Sequence, residues 1–143
     1  TMIKEDKFLE YAEVFGNKYG TPKSPIIEKL NNGIDILFDI DWQGTQELKE
    51  KESKHLVSVF ILPPSTKELE KRLLNRAQDS KEVVKKRMSE ATSEMTHWAE
   101  YDYVIINDNL EQTLQKLIAI LTAERLKRKR QTGLNSFVRK VIF

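Results

Sequence analysis

The sequence predicts an α/β domain with a mostly parallel sheet. Three observations predict it. Short apolar runs alternate with longer segments of helical periodicity, in the order βαβαβααβα. Three of those runs, Ile34 to Phe38, Val57 to Leu62 and Tyr103 to Ile106, are largely apolar, as strands covered on both faces are. The first run ends in Asp39 and Asp41, and parallel sheets place their chemistry beyond the carboxyl ends of the strands. With 143 residues the chain fits one domain.

Residues 1–7 read as the end of a helix. Phe8 to Phe15 is apolar and aromatic with Glu10 and Glu13 set into it, and reads as a strand. Gly16 and Asn17 mark a turn, and Lys18 to Thr21 a return strand. Pro22 and Pro25 open a helix with Ile26, Ile27 and Leu30 as its apolar stripe, and Gly33 stops it. Ile34 to Phe38 is then the central strand. Asp39 and Asp41, two apart, fall on one side of it, and a solvated strand-to-helix turn explains them equally well. A polar helix covers Gly44 to Lys51.

Val57 to Leu62 is the next strand, ended by Pro63 and Pro64. Ser65 with Glu68 forms a capping box, so a helix starts at Thr66 and runs to about Arg76. Asp79 with Glu82 repeats the signal for a longer helix. Its stripe is Val84, Met88, Ala91, Met95 and Trp98, spaced 4, 3, 4, 3. Tyr103 to Ile106 is the third parallel strand. The last long helix presents Leu110, Leu114, Leu117, Ile118 and Leu121 on one face and finishes in the basic run Arg125 to Arg130. Gly133 breaks it, and Phe137, Val138, Val141, Ile142 and Phe143 read as a docked tail.

Composition excludes several classes. Cysteine is absent, so neither a disulfide framework nor a thiolate site exists. That fits a cytoplasmic protein. No apolar run approaches the ~20 residues of a membrane helix, and no secretory signal opens the chain. His55 and His97 lack metal-site spacing and read as surface or packing residues. A net charge of +2 is too small to imply nucleic acid. The basic run at 125–130 lacks interleaved aromatics and suits a helix C-terminus, where cations complement the dipole.

Three groups of residues carry chemistry. Glu10 with Thr21, bracketing Tyr19, would match guanine: the base's adjacent N–H donors meet a carboxylate bidentately, and a hydroxyl donates to O6. On spacing alone a surface role for Glu10, as a cap or an ion-pair member, explains the pattern better. Arg72 and Arg76 share a helix face at i, i+4 and, with Arg87, suit a phosphate clamp, or else a solvated basic face beside Glu68 and Glu70. Asp39 and Asp41 would hold water on Mg²⁺ or orient an arginine. The five glycines, Gly16, Gly20, Gly33, Gly44 and Gly133, include no Gly-x-x-x-x-Gly-Lys-Ser/Thr loop.

Several segments in order resemble the guanylate kinase family. Phe8 to Thr21 resembles its nucleotide-monophosphate hairpin. Leu37-Phe-Asp-Ile-Asp-Trp-Gln-Gly44 resembles its aspartate-bearing strand and turn. Phe60 to Ser65, Arg72 to Ser80 and Glu100 to Asp108 are also similar to family segments. The resemblance covers nearly the whole chain and weakens after about Arg130. It implies a three-layer fold like that of P-loop kinases, with a small GMP-binding β subdomain and a helical lid. The parts would be 1–32 for GMP binding, 33–65 as core, 66–87 as lid, and 88–143 as core with the C-terminal helix and tail.

The implied activity is transfer of the γ-phosphoryl group of ATP to GMP, giving ADP and GDP, with Mg²⁺. The implied partners are GMP and ATP, with no nucleic acid or membrane, in a monomer or homodimer. Carried over by position, Glu10, Thr21 and Asp41 would serve the guanine pocket. Tyr19 would hold the GMP phosphate, and Asp39 would organise the phosphate or Mg²⁺ surroundings. Arg72 and Arg76 would be lid arginines on the ATP phosphates, Arg87 would reach the transferring group, and Asn107 would lie near adenine.

Ala77 stands where the family usually has glycine, and Lys18 where an aromatic is common. The family's P-loop and its strand would precede Thr1, so the chain reads as part of a longer polypeptide that alone neither folds well nor catalyses. The competing reading is a non-catalytic guanylate-kinase-like module that binds GMP or a protein partner. Retention of Arg72, Arg76 and Arg87 argues against it, because such a module needs no lid.

Overall fold

A computed structural model of the chain describes residues 8–14, 17–76 and 80–143, with side chains from residue 24 onward. The readings that fell on 1–7, Phe15, Gly16, Ala77 and Asp79 lie outside the described residues. The chain divides into two compact units. One runs to Ser58 and takes in Thr96–Asp102; the other comprises Val59–Met95 and Tyr103–Phe143.

The first unit opens with an antiparallel ribbon, β1 (Phe8–Val14) and β2 (Asn17–Pro22). Helix α1 (Lys23–Asn31) follows and ends as the sequence predicts. Gly33 N–H donates to Leu30 O at 3.0 Å, and Ile34 N–H to Lys29 O at 3.0 Å. That pair of bonds needs a left-handed residue between them, and Gly33 supplies φ 75°. Helix α2 (Trp42–Glu52) starts two residues earlier than expected, because Asp41 caps it. Its Gly44, Thr45 and Leu48 are buried and, with Ser58, are the buried positions of this unit among the described side chains. The outlying segment Thr96–Asp102 is held by Asp102, whose Oδ2 accepts from Ser58 N–H at 2.9 Å and Ser58 Oγ at 3.1 Å.

The expected central strand at 34–38 is not formed. Residues 34–41 are extended but belong to no ladder among the described residues. Alternation survives without pairing: Ile36, Phe38 and Ile40 are half-buried, whereas Leu37 is 94% exposed. An apolar run acquires a strand's hydrogen bonds only where another strand offers its edge.

The second unit is built on β3 (Val59–Leu62) and β4 (Tyr103–Ile106), paired in parallel with Val59 opposite Tyr103 and Leu62 opposite Ile106. Between them run α3 (Thr66–Arg76) and α4 (Lys81–Met95), and α5 (Leu110–Leu126) follows β4. The predicted start of α3 holds, with Glu68 N–H donating to Ser65 Oγ at 3.0 Å. Helix α4 buries Val84 and half-buries Met88, Ala91 and Met95. Trp98 falls outside that helix, in a 3₁₀ turn (Trp98–Glu100) of the first unit, and is 54% exposed.

Helix α5 corrects a further expectation. Of the apolar face read from the sequence, Leu110, Leu114, Ile118 and Leu121 are exposed. The face turned inward is Thr113, Leu117, Ile120 and Glu124, again at helical spacing. Its polar ends are accepted because both are hydrogen-bonded: Thr113 Oγ1 to Asn107 Oδ1 at 2.9 Å, and Tyr103 Oη to Glu124 Oε1 at 2.7 Å. The chain ends in α6 (Leu134–Ile142). Phe137, Val141, Ile142 and Phe143 remain largely exposed, so the tail is helical rather than docked among the described residues. No described helix is long and apolar enough to cross a membrane.

Candidate functional site

The carboxyl ends of β3 and β4 open onto Arg72, Arg76 and Asn107, three of the residues the sequence singled out. Asn107 follows β4 directly, and its N–H donates to Leu62 O at 2.7 Å, extending the ladder by one residue. Its side-chain oxygen accepts from Thr113, which leaves the amide N–H₂ as the donor end with no partner among the described residues. Leu62, Pro63, Leu69, Arg72, Arg76 and Asn107 line an open groove there. Asn109 caps α5 through Gln112 N–H at 3.1 Å, turning the chain sharply after the strand.

Arg72 and Arg76 share one face of α3 but have different surroundings. The Arg72 guanidinium is spread over three acceptors. Nη1 donates to Asn107 O at 2.7 Å, Nη2 to Asp108 O at 3.2 Å, and Nε to Glu68 Oε1 at 3.1 Å. It therefore ties α3 to the loop that carries Asn107. Arg76, one turn on, is exposed and has no partner among the described residues. Two arginines read from the sequence as equivalent are thus one anchored and one available. Arg87 stands half-buried on α4.

Acidic residues are placed by the first unit. The ribbon sets Glu10 opposite Thr21 and Ala12 opposite Tyr19. With two-residue spacing on each strand, these four positions have one pleat parity. Asp39 is exposed with no partner among the described residues. Asp41 is half-buried and committed: Oδ1 accepts Gly44 N–H at 2.9 Å, and its backbone oxygen accepts Thr45 Oγ1 at 2.9 Å. One carboxylate of the pair is therefore a fixed cap and the other is presented. Glu10, Tyr19, Thr21, Asp39 and Asp41 lie in the first unit, and Arg72, Arg76, Arg87 and Asn107 in the second.

Sequence reasoning missed two arrangements. Trp42 stacks on His97 with ring centroids 3.7 Å apart and planes 14° from parallel. A pair so far apart in the chain leaves no local signal. The other is Glu124, buried at the end of α5, with Lys127 Nζ at 2.9 Å, Tyr103 Oη at 2.7 Å and Arg130 Nε at 3.4 Å. Burial pushes this carboxyl up, but the hydrogen bonds from Lys127 and Tyr103 and the charges of Lys127 and Arg130 outweigh it, and the carboxyl lies below its ordinary value. The Lys127 ammonium is correspondingly raised by its bond to Glu124. Part of the basic run therefore neutralises a buried acid. The Glu124–Lys127 spacing of three on a helix end was the available clue.

A family model described as guanylate kinase matches residues 1–124. A guanylate kinase of Bradyrhizobium diazoefficiens is 58% identical over 138 residues, covering 96% of this chain and 63% of the relative. One from Paramagnetospirillum magneticum is 57% identical over 137 residues, covering 96% of this chain and 64% of the relative. The crystal structure of guanylate kinase from Anaplasma phagocytophilum superposes with a TM-score of 0.81 at 36% identity, covering 97% of this chain and 67% of that one. The chain thus spans a little under two thirds of the length of the curated relatives it matches.

Proposed function

Because the chain belongs to the guanylate kinase family, we propose that, together with a phosphate-binding loop, it transfers the γ-phosphoryl group of ATP to GMP, giving ADP and GDP. The observation that carries the substrate reading is the register of the ribbon, which sets Glu10 directly opposite Thr21. A carboxylate and a hydroxyl at facing positions suit the N–H edge and O6 of guanine. Adenine would leave those groups unpaired, at about 1–3 kcal/mol each. Tyr19, of the same parity, holds the GMP phosphate.

The remaining roles follow from availability. Exposed Arg76 supplies charge to the ATP phosphates as the lid helix closes, and Arg87 reaches the transferring group. Arg72 orders the loop of Asn107, whose free amide donors face the adenine. Asp41 stiffens the guanine side from its cap position. Catalysis is then positioning and charge neutralisation of an in-line transfer, with closure excluding water.

Among the described residues, no three His, Cys, Asp or Glu side chains gather into a metal cage. Exposed Asp39 nevertheless fits Mg²⁺, an ion that keeps several waters and takes one or two carboxylates beside substrate phosphates. Bound with ATP, the ion would neutralise charge on the phosphate oxygens. GMP and ATP are the partners, and the absence of cysteine suits a cytoplasmic setting.

The test is Glu10→Ala in the full-length protein. Loss of the bidentate contact should lower kcat/KM for GMP by about tenfold to several hundredfold and leave KM for ATP nearly unchanged. Wild-type kcat/KM for GMP in that variant would refute the guanine-reading role.

A further inference from the structure

We infer that Trp42, His97 and Glu100 form a clamp that positions the Asp39–Asp41 turn, and that they are positioning residues for GMP use. The inference rests on the kinase reading above. Trp42 is the first residue of α2 and follows Asp41 directly. Its indole stacks on the His97 imidazole at 3.7 Å. Its Nε1–H donates to Glu100 Oε2 at 3.0 Å, and His97 Nδ1 lies 2.6 Å from the same oxygen. A carboxylate oxygen only accepts, so Nδ1 carries the proton in this pair. The two stacked rings thus share one acceptor, which fixes their relative rotation. Lys49 Nζ, two turns along α2, donates to Glu100 O at 2.9 Å and fixes the backbone that carries the acceptor.

The arrangement has a direction. Asp41 is extended, at φ −77° and ψ 178°, with one carboxylate oxygen given to the helix cap. Capping alone fixes Asp41 relative to α2, but it does not fix the first turn of α2 against anything else. Trp42 does that, by joining the first turn to residues 55 to 58 positions away in sequence. Asp39, exposed and two residues upstream, inherits its place from this junction. Segment Thr96–Asp102 itself is pinned at its far end by Asp102 on Ser58, so the clamp closes on a fixed support.

The experiment uses the full-length enzyme and steady-state kinetics with GMP and ATP varied separately. An aromatic pair contributes the equivalent of about threefold to tenfold, so Trp42→Leu should raise KM for GMP by about that factor and leave KM for ATP within about twofold. Trp42→Phe keeps a ring over His97 and should recover most of the loss. His97→Ala should shift KM for GMP in the same direction, and Trp42→Leu with His97→Ala should be no worse than Trp42→Leu alone.

An unchanged KM for GMP in Trp42→Leu would overturn the clamp. So would equal rises for both substrates accompanied by a lowered Tm, which is the signature of general loosening. Wild-type activity and the Glu10→Ala loss are measured alongside. If both are as expected and Trp42→Leu is silent, the clamp alone fails. If the wild type does not use GMP, the kinase reading fails and the clamp's role with it.

Discussion

Replacing Arg72 and Arg76 separately by alanine should divide two roles that occupy one helix face. The strongest Arg72 contact, Nη1 to Asn107 O at 2.7 Å, is half-buried and charge-assisted, and contributes about 1–1.5 kcal/mol. Its second bond, at 3.2 Å, is exposed and adds at most about 0.5 kcal/mol. The pair with Glu68 leaves both side chains 36% exposed, so solvent screening reduces it to about 0.3–0.5 kcal/mol. Arg72→Ala should therefore cost about 2 kcal/mol. At about 2–4 °C per kcal/mol for a chain of the relatives' size, Tm should fall by roughly 4–8 °C. The Asn107 loop loosens with it, so KM for ATP should rise. Arg76 has no partner among the described residues, so Arg76→Ala should leave Tm within about 1 °C and lower kcat instead. Differential scanning calorimetry and initial rates on the two variants decide the matter. Equal losses of Tm, or an Arg72→Ala protein as stable as wild type, would refute the division.

Two further outcomes are expected. Asp41→Asn keeps an oxygen that accepts Gly44 N–H and should preserve both Tm and GMP use, whereas Asp41→Ala should lose about 1 kcal/mol of stability with the helix cap and raise KM for GMP; thermal melts with GMP kinetics on both variants check this. Tyr103→Phe removes the 2.7 Å bond to Glu124 and should cost about 1–1.5 kcal/mol at pH 7 by urea denaturation. Because the folded carboxyl lies below its ordinary value of 4.5, the stabilisation it gives is complete above that value and is lost as pH falls through the folded value, so the gap between variant and wild type should close in that acid range.

What was legible in the sequence was what is decided locally. Ser65 caps the helix it was expected to cap, Gly33 takes the left-handed conformation that stops α1, and β4 occupies the residues its apolar run marked. What was not legible depended on distant partners. Ile34 to Phe38 has a strand's composition, but hydrogen bonding in a sheet belongs to pairs, and its extended backbone joins no described ladder. In α5 two helical faces compete, and the apolar one was the natural choice on periodicity alone. The structure turns inward the face with Thr113 and Glu124, because Asn107 and Tyr103 satisfy those polar groups from the neighbouring strand and its loop.

The same distinction governs the site. From spacing alone Arg72 and Arg76, or Asp39 and Asp41, read as matched pairs. In each pair one member is hydrogen-bonded within the protein and the other has no partner among the described residues. That asymmetry has a physical rationale. A charged group that must meet a ligand in a fixed place needs a rigid neighbour, and a second charged residue two or four positions away is well placed to rigidify the backbone that carries it. On the proposed reading, anchored Arg72 and Asp41 set the backbone from which Arg76 and Asp39 would act. Substituting the anchored member should disturb stability and binding together, while substituting the available one should disturb activity alone.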